Sequence, residues 1–190
     1  GAIAGWALVS LVVGAIIYQG APAISWEFLT DMPREGMKAG GILPAIVGTL
    51  LLTLGTGLVA IPMGVGAAIY LSEYAHDNAL TRAVRLAIVN LASVPSVVYG
   101  LFGVGIFVLL LQFGTSIVAG SLTLAIMTLP VIISTSEEAL RAVPMEFRTV
   151  SASLGGTNWQ GIRRIVLPQA LPGIITGVIL GLLRSAGETA

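Results

Sequence analysis

Cysteine is absent, histidine occurs once (His76) and lysine once (Lys38). Without thiols there is no disulfide framework and no thiolate metal site. A single histidine beside Asp77 reads as a surface residue of a short turn, not as a ligand or base. Charge is scarce as well: charged residues make up 9% of the 190, against roughly 25% in soluble domains. A net charge of zero leaves no basic surface that would favour nucleic acid. The lone lysine follows Met37 in a loop, so the chain carries no G-x-x-x-x-G-K-[ST] phosphate cradle. It also shows no carboxylate pair, metal-ligand cluster or nucleophile constellation, and it is read as no enzyme.

What fills the sequence is apolar. Hydrophobic residues account for 56% of the chain, and the mean hydropathy is +0.97. A bilayer core about 30 Å thick needs about 20 mainly apolar residues per helical span, and such runs recur; the alternation of barrel strands would not produce them. The 24 glycines and nine prolines suit membrane helices, where small residues allow close backbone approach. The expected class is therefore an all-α integral membrane protein.

Five spans are expected. The first covers Ala2 to Tyr18, with no basic region ahead of it, so the chain reads as a fragment and not as a signal peptide. A polar loop, Gln19 to Gly41, follows, with Tyr18 and Trp26 as interface anchors. The second span runs from about Ile42 to Leu71 with a kink at Pro62, and then a charged turn, Ser72 to Arg85. The third, Leu86 to Leu111, is interrupted at Asn90, Ser93, Pro95 and Ser96, which predicts a broken helix. There Ser93, Ser96 and Tyr99 either line a substrate path or bond the freed backbone. The fourth is Ile117 to Ser134, and the fifth begins near Gln169 and continues past Arg184.

Between the last two spans lies a polar stretch, Glu137 to Pro168, whose charges predict a water-facing loop. Arginines set its side of the membrane, because cytoplasmic loops collect them. Arg82, Arg85, Arg141, Arg148, Arg163 and Arg164 fall on one side, and only Arg34 and Lys38 on the other. The polar stretch is therefore expected in the cytoplasm. Pro144 suits a helix start, Gly155 and Gly156 suit its end, and Thr157 to Gln160 has capping-box spacing. Trp159, Ile162 and Val166 share one face of a second short helix, which Pro168 should stop. On physics alone, helix, glycine turn and helix could equally be an interfacial anchor between two spans.

On the fifth span, Gly173, Gly177, Gly181, Arg184 and Glu188 fall on a stripe about 80° wide at 100° per residue. Arg184 and Glu188 are spaced to meet on one helix face. An ionisable group within a span points to function, and a guanidinium suits an oxyanion; the alternative is an arginine snorkelling to the interface, neutralised by Glu188.

Gly155, followed by Ile165, Leu167 and Pro168 ten, twelve and thirteen residues later, resembles the "EAA" loop of binding-protein-dependent ABC importer permeases, the family with the MetI-like fold. The three positions that should read Glu-Ala-Ala are instead Thr149, Val150 and Ser151, which removes a carboxylate but leaves the glycine turn. Further stretches are similar to the phosphate-specific transport permeases, more to the A-type subunit than to the C-type: Pro95 to Gly103, Leu129 to Ile133, Glu137 to Pro144 and Arg184 to Thr189.

The resemblance implies one permease domain over 1–190, a MetI-like bundle showing five of six spans, in the prokaryotic inner membrane, that imports inorganic phosphate. Its coupling loop, 137–168, would meet the ATPase through Thr149, Val150, Ser151, Leu154, Gly155, Trp159, Ile165, Leu167 and Pro168. Ser96, Tyr99, Arg184 and Glu188 would lie on the substrate pathway. The implied partners are a C-type permease, a dimer of ATP-binding subunits, an extracytoplasmic phosphate-binding protein and membrane lipid. No cofactor is expected on this chain, since ATP and magnesium belong to the ATPase. The alternatives are a permease for molybdate, tungstate or sulfate, or an ion-coupled secondary transporter.

Overall fold

A computed structural model describes residues 2–34, 39–148 and 155–189. The chain divides into two compact units, residues 1–48 and 49–190. The first holds an apolar helix, α1 (Ala2–Gly20), a short helix, α2 (Trp26–Thr30), and two short antiparallel strands, β1 (Pro33–Arg34) and β2 (Ala39–Gly40), with Pro33 opposite Gly40. Ser25 caps α2 by accepting a hydrogen bond from the Phe28 N–H.

The second unit contains most of α3 (Leu43–Ile69), then α4 (Ala79–Ala92), α5 (Ser96–Gly103), α6 (Ile117–Arg141), α7 (Asn158–Gly161) and α8 (Leu167–Thr189). Among the described residues, three continuous helices are long and apolar enough to cross a membrane: Leu43–Tyr74, Ile117–Arg141 and Asn158–Thr189. A fourth crossing counts if α4 and the stretch Ser96–Leu110, bent by 99° at their junction, form one broken span.

The core is built where α3, α6 and α8 meet. Ala68, Leu140, Val143, Val166, Ala170 and Ile174 form one buried cluster, and Ala60, Ala125 and Ile132 another. Glycines let α8 lie directly on α6. A Cβ at Gly173 would sit 2.6 Å from the Ala139 Cβ, one at Gly181 would sit 2.9 Å from Ile132 Cγ1, and one at Gly177 would fall on the Thr135 hydroxyl. The stripe continues to Ser185, which is fully buried, whereas Arg184 stands at its edge. Towards the other end, α3 and α6 exchange hydroxyl-to-carbonyl bonds, Thr56 Oγ1 to Ser121 O and Ser121 Oγ to Leu52 O, both 3.4 Å.

Several expectations need correction. The turn after the second span is shorter, because Asn78 caps α4 by accepting from the Thr81 N–H at 2.8 Å, so Arg82 and Arg85 lie on a helix. The fourth span does not end at Ser134: α6 continues through Glu137 to Arg141 because its polar residues find partners inside the fold. Pro168 stops nothing. A π-type turn over Ile162–Val166 precedes it, with the Leu167 N–H bonded to Ile162 O, and the helix runs unbroken from Asn158 to Thr189. Such local widening is how membrane helices absorb proline. The polar stretch is therefore bounded by long helices on both sides, one ending at Arg141 and the next beginning at Asn158.

The glycine face yields a test. Gly177→Ala should destabilise the purified chain by about 1–3 kcal/mol through overpacking, read as a lower unfolding temperature in detergent. Gly66→Ala, where a Cβ meets nothing within 4 Å, should leave it unchanged or slightly raised.

Candidate functional site

Two places gather the polar residues that a greasy chain can hold only with partners. The first is the end of the bundle where α3 finishes, α4 begins and α6 finishes. Arg85 Nε donates to Glu137 Oε1 at 2.8 Å, and its Nη2 donates to Leu71 O at 2.8 Å. Arg141 approaches the same Glu137 oxygen at 2.9 Å. Arg148, closing a helical turn at 145–148, donates to the Glu73 carboxylate and, through Nη2 at 2.8 Å, to Leu140 O. Glu137 is thus 9% exposed, correcting the expectation that it faces water: two arginines satisfy it from inside. Outside this group, Asp77 pairs with Arg82 on the surface, and the Arg82 hydrogen bond holds the Asp77 carboxyl below the usual carboxylate range.

The coupling residues expected from the sequence begin at the edge of this cluster. Thr149, Val150, Ser151 and Leu154 lie outside the described residues. Gly155 has φ of 72°, a left-handed conformation that favours glycine. Thr157 and Gln160 close a reciprocal capping box: Gln160 N–H donates to Thr157 Oγ1 at 3.3 Å, and Thr157 N–H to Gln160 Oε1 at 3.0 Å. The shared apolar face is corrected in part. Ile162 and Val166 are buried, but Trp159 is 53% exposed, because burial begins one turn later along the helix. Ile165 and Leu167 are half-buried, and Pro168 is exposed. A cavity of about 210 Å3 lies between the Glu73–Arg148 pair and Gly156, Asn158 and Ile162.

The second place is the break at Pro95. The helix stops because Pro95 has no N–H to give. Ser93 turns its Oγ back onto Asn90 O at 2.7 Å, and the Tyr99 hydroxyl donates to Leu91 O at 2.8 Å across the break. Tyr99 is buried, 7% exposed, and its phenol lies within electrostatic reach of Arg184. Ser96, half-buried, opens α5. Arg184 is half-buried and Glu188 exposed. None of the ion pairs found among the described residues joins those two, despite their helical spacing. The helical spacing of Arg184 and Glu188 therefore permits an ion pair that the fold does not form.

Sequence reasoning gave Glu73 no role, and it placed Glu137 in the polar loop and Arg85 in a turn without pairing them. The i, i+4 spacing of Glu137 and Arg141 was the one local signal. The long-range partners, 52 and 75 residues away, had none.

Long apolar helices and a break held together by hydroxyls define a multi-pass helical membrane protein. Residues 60–190 match the family described as "Binding-protein-dependent transport system inner membrane component", and the chain belongs to that family. It is 40% identical over 181 residues to the phosphate transport system permease protein PstA of Pasteurella multocida, covering 94% of this chain and 64% of that protein. It is 37% identical over 175 residues to the probable ABC transporter permease protein YqgI of Bacillus subtilis, covering 92% and 60%. The chain thus spans about three fifths of the length of these relatives. Among solved structures, it superposes on the MetNI methionine ABC transporter in inward-facing conformations with a TM-score of 0.67, at 21% identity, over 77% of this chain and 72% of that one. The fold is accordingly the MetI-like helical bundle, in a multi-pass protein of the prokaryotic inner membrane.

The ion-pair cluster carries its own prediction. Arg85→Ala removes one partner of a mostly buried carboxylate but leaves Arg141, so the loss should be about 1–3 kcal/mol, below the ~3–5 of a fully orphaned pair. Thermal unfolding should separate it from Arg82→Ala, whose exposed pair with Asp77 should matter little.

Proposed function

We propose that this chain is the A-type permease subunit of an ATP-driven importer of inorganic phosphate. It would form half of the translocation pathway with a C-type partner and take its energy from a separate ATPase dimer. The observation that carries this reading is the 40% identity to a phosphate transport permease across nearly the whole chain. The geometry of α8 supports it. An arginine with no ion-pair partner among the described residues stands beside the broken span, where a guanidinium offers paired donors to a tetrahedral oxyanion.

In this reading a phosphate-binding protein delivers its cargo at the side bearing Arg34. Arg184 lowers the cost of moving an anion through a low-dielectric path. Tyr99 holds the break in shape through its bond to Leu91 O, with Ser96 at the start of α5. Glu188 keeps the empty path near neutral. ATP binding draws the ATPases together, and they move the segment 137–168 through the surfaces around Gly155 and Trp159. A second reading, a permease for another oxyanion such as molybdate, tungstate or sulfate, draws on the Bacillus subtilis relative, whose name gives no substrate; competition for uptake into vesicles separates the two.

Vesicles carrying the full complex give two tests. Arg184→Ala should abolish phosphate uptake while the complex still assembles, and near-normal uptake would refute its pathway role. Gly155→Val forces a β-branched residue into a left-handed conformation; ATP hydrolysis should then run without transport or the ATPase should dissociate. Unchanged coupled transport would remove the glycine turn from the mechanism.

A further inference from the structure

Each of the two interior arginines at the charged end holds two different elements at once. Arg85, on α4, reaches the Glu137 carboxylate of α6 with Nε and the Leu71 carbonyl at the end of α3 with Nη2. Arg148, at the threshold of the coupling segment, reaches the Glu73 carboxylate at the end of α3 with Nη1 and the Leu140 carbonyl in the last turn of α6 with Nη2. Both guanidiniums therefore span the same two helix ends. The planar fork of arginine allows this, since its donors diverge at fixed angles, whereas an ammonium offers a single point of charge. Last-turn carbonyls carry the negative end of the helix dipole and lack intrahelical donors.

The pair at Arg148 is distinctive because it ties the turn that follows α6 to the buried ends of two helices. The Glu73 side chain is only 8% exposed and that of Arg148 20%. The turn at 145–148 cannot move away without stranding a buried carboxylate or dragging the ends of α3 and α6 with it. Cavities border the pair on both sides, one of about 210 Å3 towards Gly156 and Ile162 and one of about 670 Å3 towards Pro144 and Met145, so the arginine is the tie across a loosely filled region. Any displacement of the turn at 145–148 would therefore pull on both helix ends through Arg148.

We propose that Glu73 and Arg148 are positioning residues for coupling: a two-armed latch that carries movement of the loop into the ends of α3 and α6. The proposal rests on the reading that an ATPase moves the coupling segment, here the part of it that follows α6. Glu73→Gln keeps the shape of the side chain and removes its charge. In vesicles holding the complete complex, it should leave assembly and ATP hydrolysis in place while phosphate taken up per ATP falls about tenfold, the change that loss of a charge-assisted hydrogen bond supports. Arg148→Gln should lower uptake per ATP similarly, and the double variant should be no worse than either single one, as for two residues acting through one contact. Arg148→Lys should recover part of the ratio, since it restores the charge opposite Glu73 without the second arm.

Wild-type uptake per ATP in Glu73→Gln would overturn the latch alone. So would additive losses in the double variant, or a parallel loss of assembly, hydrolysis and uptake, which is what a purely structural pair would give. Wild-type complex that hydrolyses ATP without importing phosphate would overturn the proposed function, and the latch would fall with it.

Discussion

Everything in the second unit depends on how closely α8 can approach α6. Between helices in a bilayer, lipid tails are as apolar as leucine, so hydrophobic burial gives little reason to associate; close van der Waals contact and interhelical hydrogen bonds must supply it. Gly173, Gly177 and Gly181 provide the contact by leaving no side chain between the helix and Ala139, Thr135 and Ile132. With the backbones this near, Ile132 reaches the small-residue face of α3 at Gly64, and three helices share one core. The same approach fixes the rotation of α8, and so decides which of its residues face protein. Ser185 continues the packed stripe, and Arg184 is turned to its edge within reach of Tyr99.

Closely packed apolar helices leave the polar residues with few choices, and the two polar places solve the problem differently. At the charged end, arginines and carboxylates neutralise one another and use their spare donors on helix-terminal carbonyls. At the Pro95 break, serine and tyrosine hydroxyls take up carbonyls that a regular helix would have satisfied. The first arrangement ties the ends of α4, α6 and the helix 43–74 together. The second keeps irregular backbone tolerable at depth in a span, which membrane proteins accept only beside protein or a polar path.

The sequence revealed the class, the break at Pro95, the glycine stripe, the capping box at Thr157 and the glycine turn at 155, because each is a local pattern of a few residues. Glu137 was misread for a physical reason: its charge suggested water, whereas its partner Arg85 is 52 residues away and only the fold brings them together. Helix ends moved for the same reason, since α6 continues wherever its charges are satisfied. Pro168 was misread because a proline ends a helix only when the preceding turn cannot widen to admit it. The spacing of Arg184 and Glu188 was legible, but spacing on a helix permits a contact without producing one. What lies near Arg184 depends in part on where α5 packs after a 99° bend, which no local pattern encodes.

The central claim is that this bundle passes phosphate only when an ATPase drives it. The most direct measurement is uptake of labelled phosphate into vesicles containing the chain with its permease partner and phosphate-binding protein, with and without the ATP-binding subunits. The account predicts uptake only when the ATPase and ATP are both present. Phosphate accumulation that persists without the ATPase, driven by an ion gradient, would contradict it.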